Sequence, residues 1–200
     1  MNKKIVLVSG SSGVGKSTLR LILRNQLGEN FNNRIAGIDI DDVYCFVDPK
    51  FAAPNYLELW KKARQNTGFL TTSLLRNDTE AVFIFSNTIF SKDQVNDILN
   101  EVQVEDQVDI FHITLAPSRD TVAERLKKRQ YSVPIWLDEH LAERQPHLNE
   151  DWTILINNSK LTPEQTLEAI YEIIKKGNIM KKLESTNMES NSWFSKIFKL

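Results

Sequence analysis

Lys4-Ile5-Val6-Leu7-Val8-Ser9 runs straight into Gly10-Ser11-Ser12-Gly13-Val14-Gly15-Lys16-Ser17-Thr18. The first six residues form a short apolar run of strand length. The next eight fit the pattern G-x-x-x-x-G-K-[ST]. Glycines at these positions let the backbone curl so that its N–H groups point inward around phosphate oxygens. The loop opens a helix, whose positive end faces the same anion. Lys16 is long enough to reach β- and γ-phosphates, the Ser17 hydroxyl can ligate Mg²⁺, and Thr18 is placed to help with the α-phosphate. Leu19, Ile22, Leu23 and Leu27 then fall on one face of a helix over Lys16–Leu27, with Gly28 suited to its C-terminal cap. Strand, loop and amphipathic helix in that order are the context a phosphate-binding loop requires.

Outward from this unit, apolar runs alternate with helical patterns, which predicts an α/β fold on a parallel sheet. Strands are expected at Arg34–Ile40, Ala81–Phe85, Val108–Leu115 and Trp152–Ile156. A loop containing Pro49 and Pro54 should follow the second strand. A long helix should begin near Asn55, with Glu58 completing a capping box and Tyr56, Leu59, Trp60 and Ala63 as its buried stripe. Gly68 marks a bend or interruption in it. Further helices are expected around Val95, Ile98, Leu99 and Val102, over Pro117–Arg129 with Pro117 at its first position, and over Pro163–Lys175. Residues 130–150 read as polar and irregular.

The chain has 200 residues, 41% hydrophobic and 26% charged, with a net charge of -1. That suits one globular domain and shows no global basic field for nucleic acid. Cys45 is the single cysteine, which excludes an internal disulfide and a cysteine-based zinc site and suits a reducing cytoplasm. The apolar run Ile5–Val8 is too short for a signal-peptide core, and no stretch approaches the roughly 20 apolar residues of a membrane span.

The second informative segment is Gly37-Ile38-Asp39-Ile40-Asp41-Asp42. Strand alternation points Asp39 and Asp41 the same way. At the carboxyl end of a strand in an open α/β sheet, such a pair can hold hydrated Mg²⁺ and orient an acceptor hydroxyl. Val82-Phe83-Ile84-Phe85, by contrast, runs into Ser86-Asn87, with no acidic residue where a Walker B strand usually ends in aspartate. A Mg²⁺ shell would then lean on Ser17 and Asp39.

With these residues the chain resembles the small P-loop kinases of metabolites, the group of shikimate kinase, gluconate kinase and chloramphenicol phosphotransferase, near the nucleoside monophosphate kinases. The resemblance spans about residues 3–176, and the phosphate loop is its most specific part. It implies a three-layer P-loop NTPase fold with a five-stranded parallel sheet of order 2-3-1-4-5 and a helical lid at about 130–150. It implies ATP-dependent transfer of the γ-phosphate to a hydroxyl of a metabolite or antibiotic. Asp39 would act through water on Mg²⁺ and Asp41 as general base, with Asp42 a competing candidate.

Glu124-Arg125-Leu126-Lys127-Lys128-Arg129 resembles the helix before the lid of such kinases. Arg125 and Arg129 share a helical face and can stabilise charge on the transferred phosphoryl group. Arg144 is a further candidate in the lid. The acceptor is expected between strand two and the long helix, near Tyr44, Tyr56, Trp60 and Arg64. Asn157-Asn158-Ser159-Lys160 matches where related kinases place a base-contacting loop. His112 reads as structural, His140 and His147 as lid surface, and Cys45 as buried or half-buried.

Trp193, Phe194, Ile197 and Phe198, with Lys196 and Lys199, form a short amphipathic pattern after a polar linker over 177–191. It is able to dock on a partner or membrane surface, or to fold back on its own domain. Asp41 followed by Asp48-Pro49-Lys50-Phe51 faintly resembles toxin-like kinases of nucleotide sugars. The same phosphate loop is also compatible with a nucleoside or polynucleotide kinase, and with a nucleotide-dependent interaction module of weak ATPase activity.

Overall fold

The computed structural model describes residues 2–129, 132, 133, 135 and 137–177. The apolar tail and its expected docking lie outside the described residues. Strands β1 (Lys3–Ser9), β2 (Ile35–Asp39), β3 (Ala81–Ser86), β4 (Val108–Leu115) and β5 (Ile154–Ile156) form one parallel sheet in the order β2-β3-β1-β4-β5. Helices α1 (Lys16–Leu27), α2 (Ile40–Val47), α3 (Tyr56–Arg76), α4 (Lys92–Leu99), α5 (Arg119–Lys128), α6 (Leu137–Ala142), α7 (Gln145–Leu148) and α8 (Pro163–Lys175) flank it. This is the P-loop NTPase α/β fold.

The alternation of side chains along each strand builds two cores. Val6, Val8, Phe83, Phe85, Phe111 and Ile113 face one layer with α1, α5 and α8. Ile5, Leu7, Val82 and Ile84 face the other, with α2, α3 and α4. Every residue of β3 is buried, so its unbroken apolar run is what a central strand covered on both faces requires. Each fully buried Phe or Ile contributes about 1.5–3 kcal/mol. Among the described residues, no helix is long and apolar enough to cross a membrane.

Several elements depart from the sequence expectation, each for a physical reason. The second strand stops at Asp39, and the expected loop after it begins as α2. Asp39 caps that helix by accepting from the Asp41 N–H at 3.1 Å, a short-range bond that competes with continuing the strand. Asn55 makes no side-chain cap on α3, and Glu58 instead pairs with Lys62 one turn on. Gly68 neither bends nor interrupts α3: a Cβ there would lie 2.2 Å from the Ile98 carbonyl, so glycine lets α4 approach. Gly28 does cap α1, as expected, but stays right-handed and leads into a 3-10 turn at Glu29–Phe31, so that Asn32 and Asn33 take the positive φ. Pro117 stands outside α5, which Ser118 caps by accepting from the Thr121 N–H. The stretch whose residues read as irregular contains α6 and α7, in keeping with the helical lid that the resemblance implies. The last strand starts two residues later than expected, at Ile154.

Candidate active site

Gly10, Gly13 and Gly15 hold φ of 140°, 84° and 111°, conformations that L side chains rarely adopt. At Gly10 a Cβ would also meet the Leu115 carbonyl oxygen at 2.6 Å, so β4 presses directly on the root of the loop. Lys16 Nζ donates to the Gly10 and Ser11 carbonyls at 2.7 and 2.9 Å. The residue keeps some solvent contact, but its ammonium is enclosed, and that burial lowers its pKa to about 8. Asp41 and Asp39 oppose the shift, while Arg144 and Arg129 add to it.

Asp39 and Asp41 do converge on Lys16, but not through strand alternation, because Asp41 sits in the first turn of α2. Asp39 Oδ1 takes the Asp41 N–H, and its Oδ2 lies 3.8 Å from Arg20 Nε. Asp41 Oδ1 is buried without a hydrogen-bond partner. Burial raises the pKa of Asp41, the Asp39 charge raises it further, and Lys16 opposes both. Burial raises that of Asp39 as well, with the Asp41 N–H opposing. Asp42 turns away to pair with Arg20 Nη1 at 3.0 Å and is well exposed, so of the two rival carboxylates Asp41 is the one whose charge acts on Lys16. Arg20 is the residue that sequence reasoning missed. Its place one turn after Lys16 is the signal that could have found it.

Hard oxygen donors fit Mg²⁺ here: the exposed Ser17 residue, the Asp39 carboxylate and the unpartnered Asp41 Oδ1. Among the described residues no group of three or more His, Cys, Asp or Glu side chains forms a metal cluster, so phosphate and water oxygens would complete such a shell.

The arginines separate by position. Arg125 donates to the Val14 carbonyl and to the Asn158 carbonyl, both at 2.8 Å. It braces the loop against the segment after β5, where Asn158 Nδ2 also bonds Val14 O at 3.0 Å. Arg125, Arg129, Asn158 and Thr18 line a cleft of about 350 Å³ on this side of the loop. Arg144 comes from the other side. Its guanidinium lies 4.6 Å above the Phe90 ring and donates to His140 O at 2.8 Å and, at 3.4 Å, to Asn87 O.

The expected acceptor region is largely filled. Tyr44 is buried and packs against Trp60 and Phe51, at centroid distances of 4.0 and 5.0 Å, and its hydroxyl bonds Asp48. Arg64 puts Nε and Nη2 on Asp97 Oδ2, both at 2.9 Å, so it is not a free anion-binding group. Tyr56 is exposed, and so is Cys45, contrary to its expected burial. A cavity of about 280 Å³ lies instead beneath α6 and α7, lined by Gly10, Ser11, Asn87, Phe90, Arg144 and His147 among others.

His147 is buried rather than on the lid surface. Thr114 Oγ1 joins His147 Nε2, Thr153 Oγ1 and Ser9 Oγ, and Ser9 Oγ meets His112 Nε2, all within 2.9 Å. His112 is thus structural, as expected, and stacks on Trp152. The hydroxyls that tie this network are not legible in the sequence, since Ser9, Thr114 and Thr153 are far apart along the chain.

No family model and no curated protein matches the chain in sequence. Solved structures do match. A sugar kinase from Janibacter sp. aligns over 86% of this chain and 95% of its own, with a TM-score of 0.60 at 15% identity. The fold is that of the small P-loop kinases. Shikimate kinase from Bacteroides thetaiotaomicron aligns over 88% and 99%, with a TM-score of 0.59 at 16% identity. A gluconokinase from Sinorhizobium meliloti gives 88%, 94% and 0.57 at 15%. The sheet order of a P-loop kinase and a loop with three positive-φ glycines therefore occur together in this chain.

Proposed function

We propose that this protein is an ATP- and Mg²⁺-dependent phosphotransferase acting on a hydroxyl of a small molecule. The observation that carries the reading is the unpartnered, buried Asp41 Oδ1 beside the phosphate lysine. Without a substrate, a buried carboxylate oxygen lacking a partner costs stability. A substrate hydroxyl donating to it would recover that cost at the point where a γ-phosphate would lie. The loop N–H groups and Lys16 bind the phosphates. Asp41 accepts the acceptor's proton, and Arg144 and Arg129 meet the charge that spreads over the transferred group. Mg²⁺, when bound, neutralises charge on the β- and γ-phosphates. Arg125 and Asn158 serve the base-side cleft.

Phe90 and Arg144 make the cavity under α6 and α7 the best place for the acceptor's body, since the cleft between β2 and α3 is occupied by stacked rings and the Arg64–Asp97 pair. A cytoplasmic location and a small-molecule partner follow from this reading.

The test is transfer of label from γ-labelled ATP across metabolites, nucleosides and aminocyclic antibiotics, comparing wild type with Asp41→Asn. A labelled product that falls at least roughly 100-fold in the variant is expected. Tight ATP binding with no product would favour the interaction-module reading. One observation supports that second reading: β3 ends in Ser86, bonded to Thr88 at 2.9 Å, where a hydrolytic carboxylate would stand.

A further inference from the structure

His140 on α6 reaches the phosphate loop. The Ser12 backbone N–H donates to His140 Nε2 at 3.4 Å. The turn carrying the ring is held from behind, because Arg144 Nη1 donates to the His140 carbonyl. An acceptor Nε2 fixes the ring as the neutral tautomer with its proton on Nδ1. An imidazole lone pair therefore sits on an N–H of the kind that a phosphate-binding loop directs at phosphate oxygen.

A terminal phosphate entering the loop would compete for that N–H and bring its oxygens against the lone pair. Two like-charged electron clouds at hydrogen-bond distance repel. A proton on Nε2 converts the clash into a charge-assisted N–H···O bond. We propose that His140 is a phosphate ligand that takes up one proton from solvent when the nucleotide's terminal phosphate enters the loop. This rests on the nucleotide-binding reading above and adds a residue and a proton to it.

The surrounding charges set the direction. Lys16 from α1 and Arg144 from the turn after α6 disfavour an imidazolium, and Glu143 favours it. Asp138 on the same helix is engaged by Arg119, and Glu139 is exposed. Burial and the two cations hold the ring pKa at about 4. A triphosphate remains net negative with Mg²⁺ bound, and its terminal oxygens beside the ring raise it.

The test uses the full chain with ring-¹⁵N histidine. It has three histidines, so His140→Gln assigns the signal directly. A β,γ-imido ATP analogue with Mg²⁺ is titrated near pH 6.5, with calorimetry in two buffers of different ionisation heat. His140 Nε2 is expected to move from the imine to the imidazolium range while His112 and His147 stay neutral. Proton uptake should approach one per nucleotide and vanish in His140→Gln. Wild-type affinity should tighten relative to that variant as pH falls from about 8 to 6, by at most about tenfold per unit. Saturable binding with His140 still neutral, or equal proton uptake in the variant, would overturn the proposal and leave nucleotide binding standing. No response of any signal to millimolar analogue would overturn both.

Discussion

At Lys16 and Asp41 the molecule holds two groups whose environments push their pKa values toward each other. Burial brings the lysine down to about 8, and burial with the neighbouring Asp39 charge brings the aspartate up. If Asp41 is the base and Lys16 the phosphate ligand, kcat/KM is bell-shaped in pH, because it reports the free protein. The acid limb lies above the ordinary carboxylate range, where Asp41 gains its proton. The alkaline limb lies near pH 8, where Lys16 loses its own. A pH profile of the labelled transfer checks this; a flat plateau from about pH 7 to 10 would contradict the Lys16 assignment. Arg64 gives the opposite lesson: an arginine beside a tryptophan suggests anion binding, yet its guanidinium is spent on Asp97, 33 residues away in sequence.

At the scale of the element, α2 explains why two carboxylates meet. Asp39 is both its N-cap and a charge acting on Lys16. The two jobs can be separated. Asp39→Asn keeps a cap acceptor and should leave thermal stability nearly unchanged, while Asp39→Ala should cost about 1 kcal/mol. Both should weaken Mg²⁺-dependent transfer, since both remove the charge. Unfolding curves beside activity at varied Mg²⁺ distinguish the roles: if Asp39→Asn retained full activity, Asp39 would be only a cap.

Across the whole molecule, the network from Ser9 to Thr153 ties the root of the phosphate loop, β4 and the segment after α7 into one buried unit. Burial, with a smaller contribution from His147, lowers the His112 pKa to about 3 against an ordinary 6.5. The unfolded chain therefore binds more protons between those values. The stability is present above about pH 6.5 and is lost as pH falls toward 3. At pH 5 His112 alone accounts for about 2 kcal/mol, or roughly 5 °C in Tm for a chain of this size. His112→Asn should shrink the drop in Tm between about pH 7 and 5; an unchanged drop would mean that other groups set the acid limit.

The first strand, the loop and the first helix were legible because their signals are local, whereas the sheet order followed only from the resemblance to the small P-loop kinases. A strand of apolar residues, three glycines and a lysine lie within 14 consecutive positions, Ile5–Thr18, and backbone sterics allow them little else. The buried run of β3 was legible for the same reason. What the tertiary structure alone decided depends on residues distant in the chain. Gly68 serves α4, not its own helix. Arg125 is drawn to one side of the loop by carbonyls at Val14 and Asn158, leaving Arg144 on the far flank, and His140 reaches Ser12 across 128 residues. Hydrogen bonds of this kind are short-ranged and directional, so only the packed fold determines which partner each group finds.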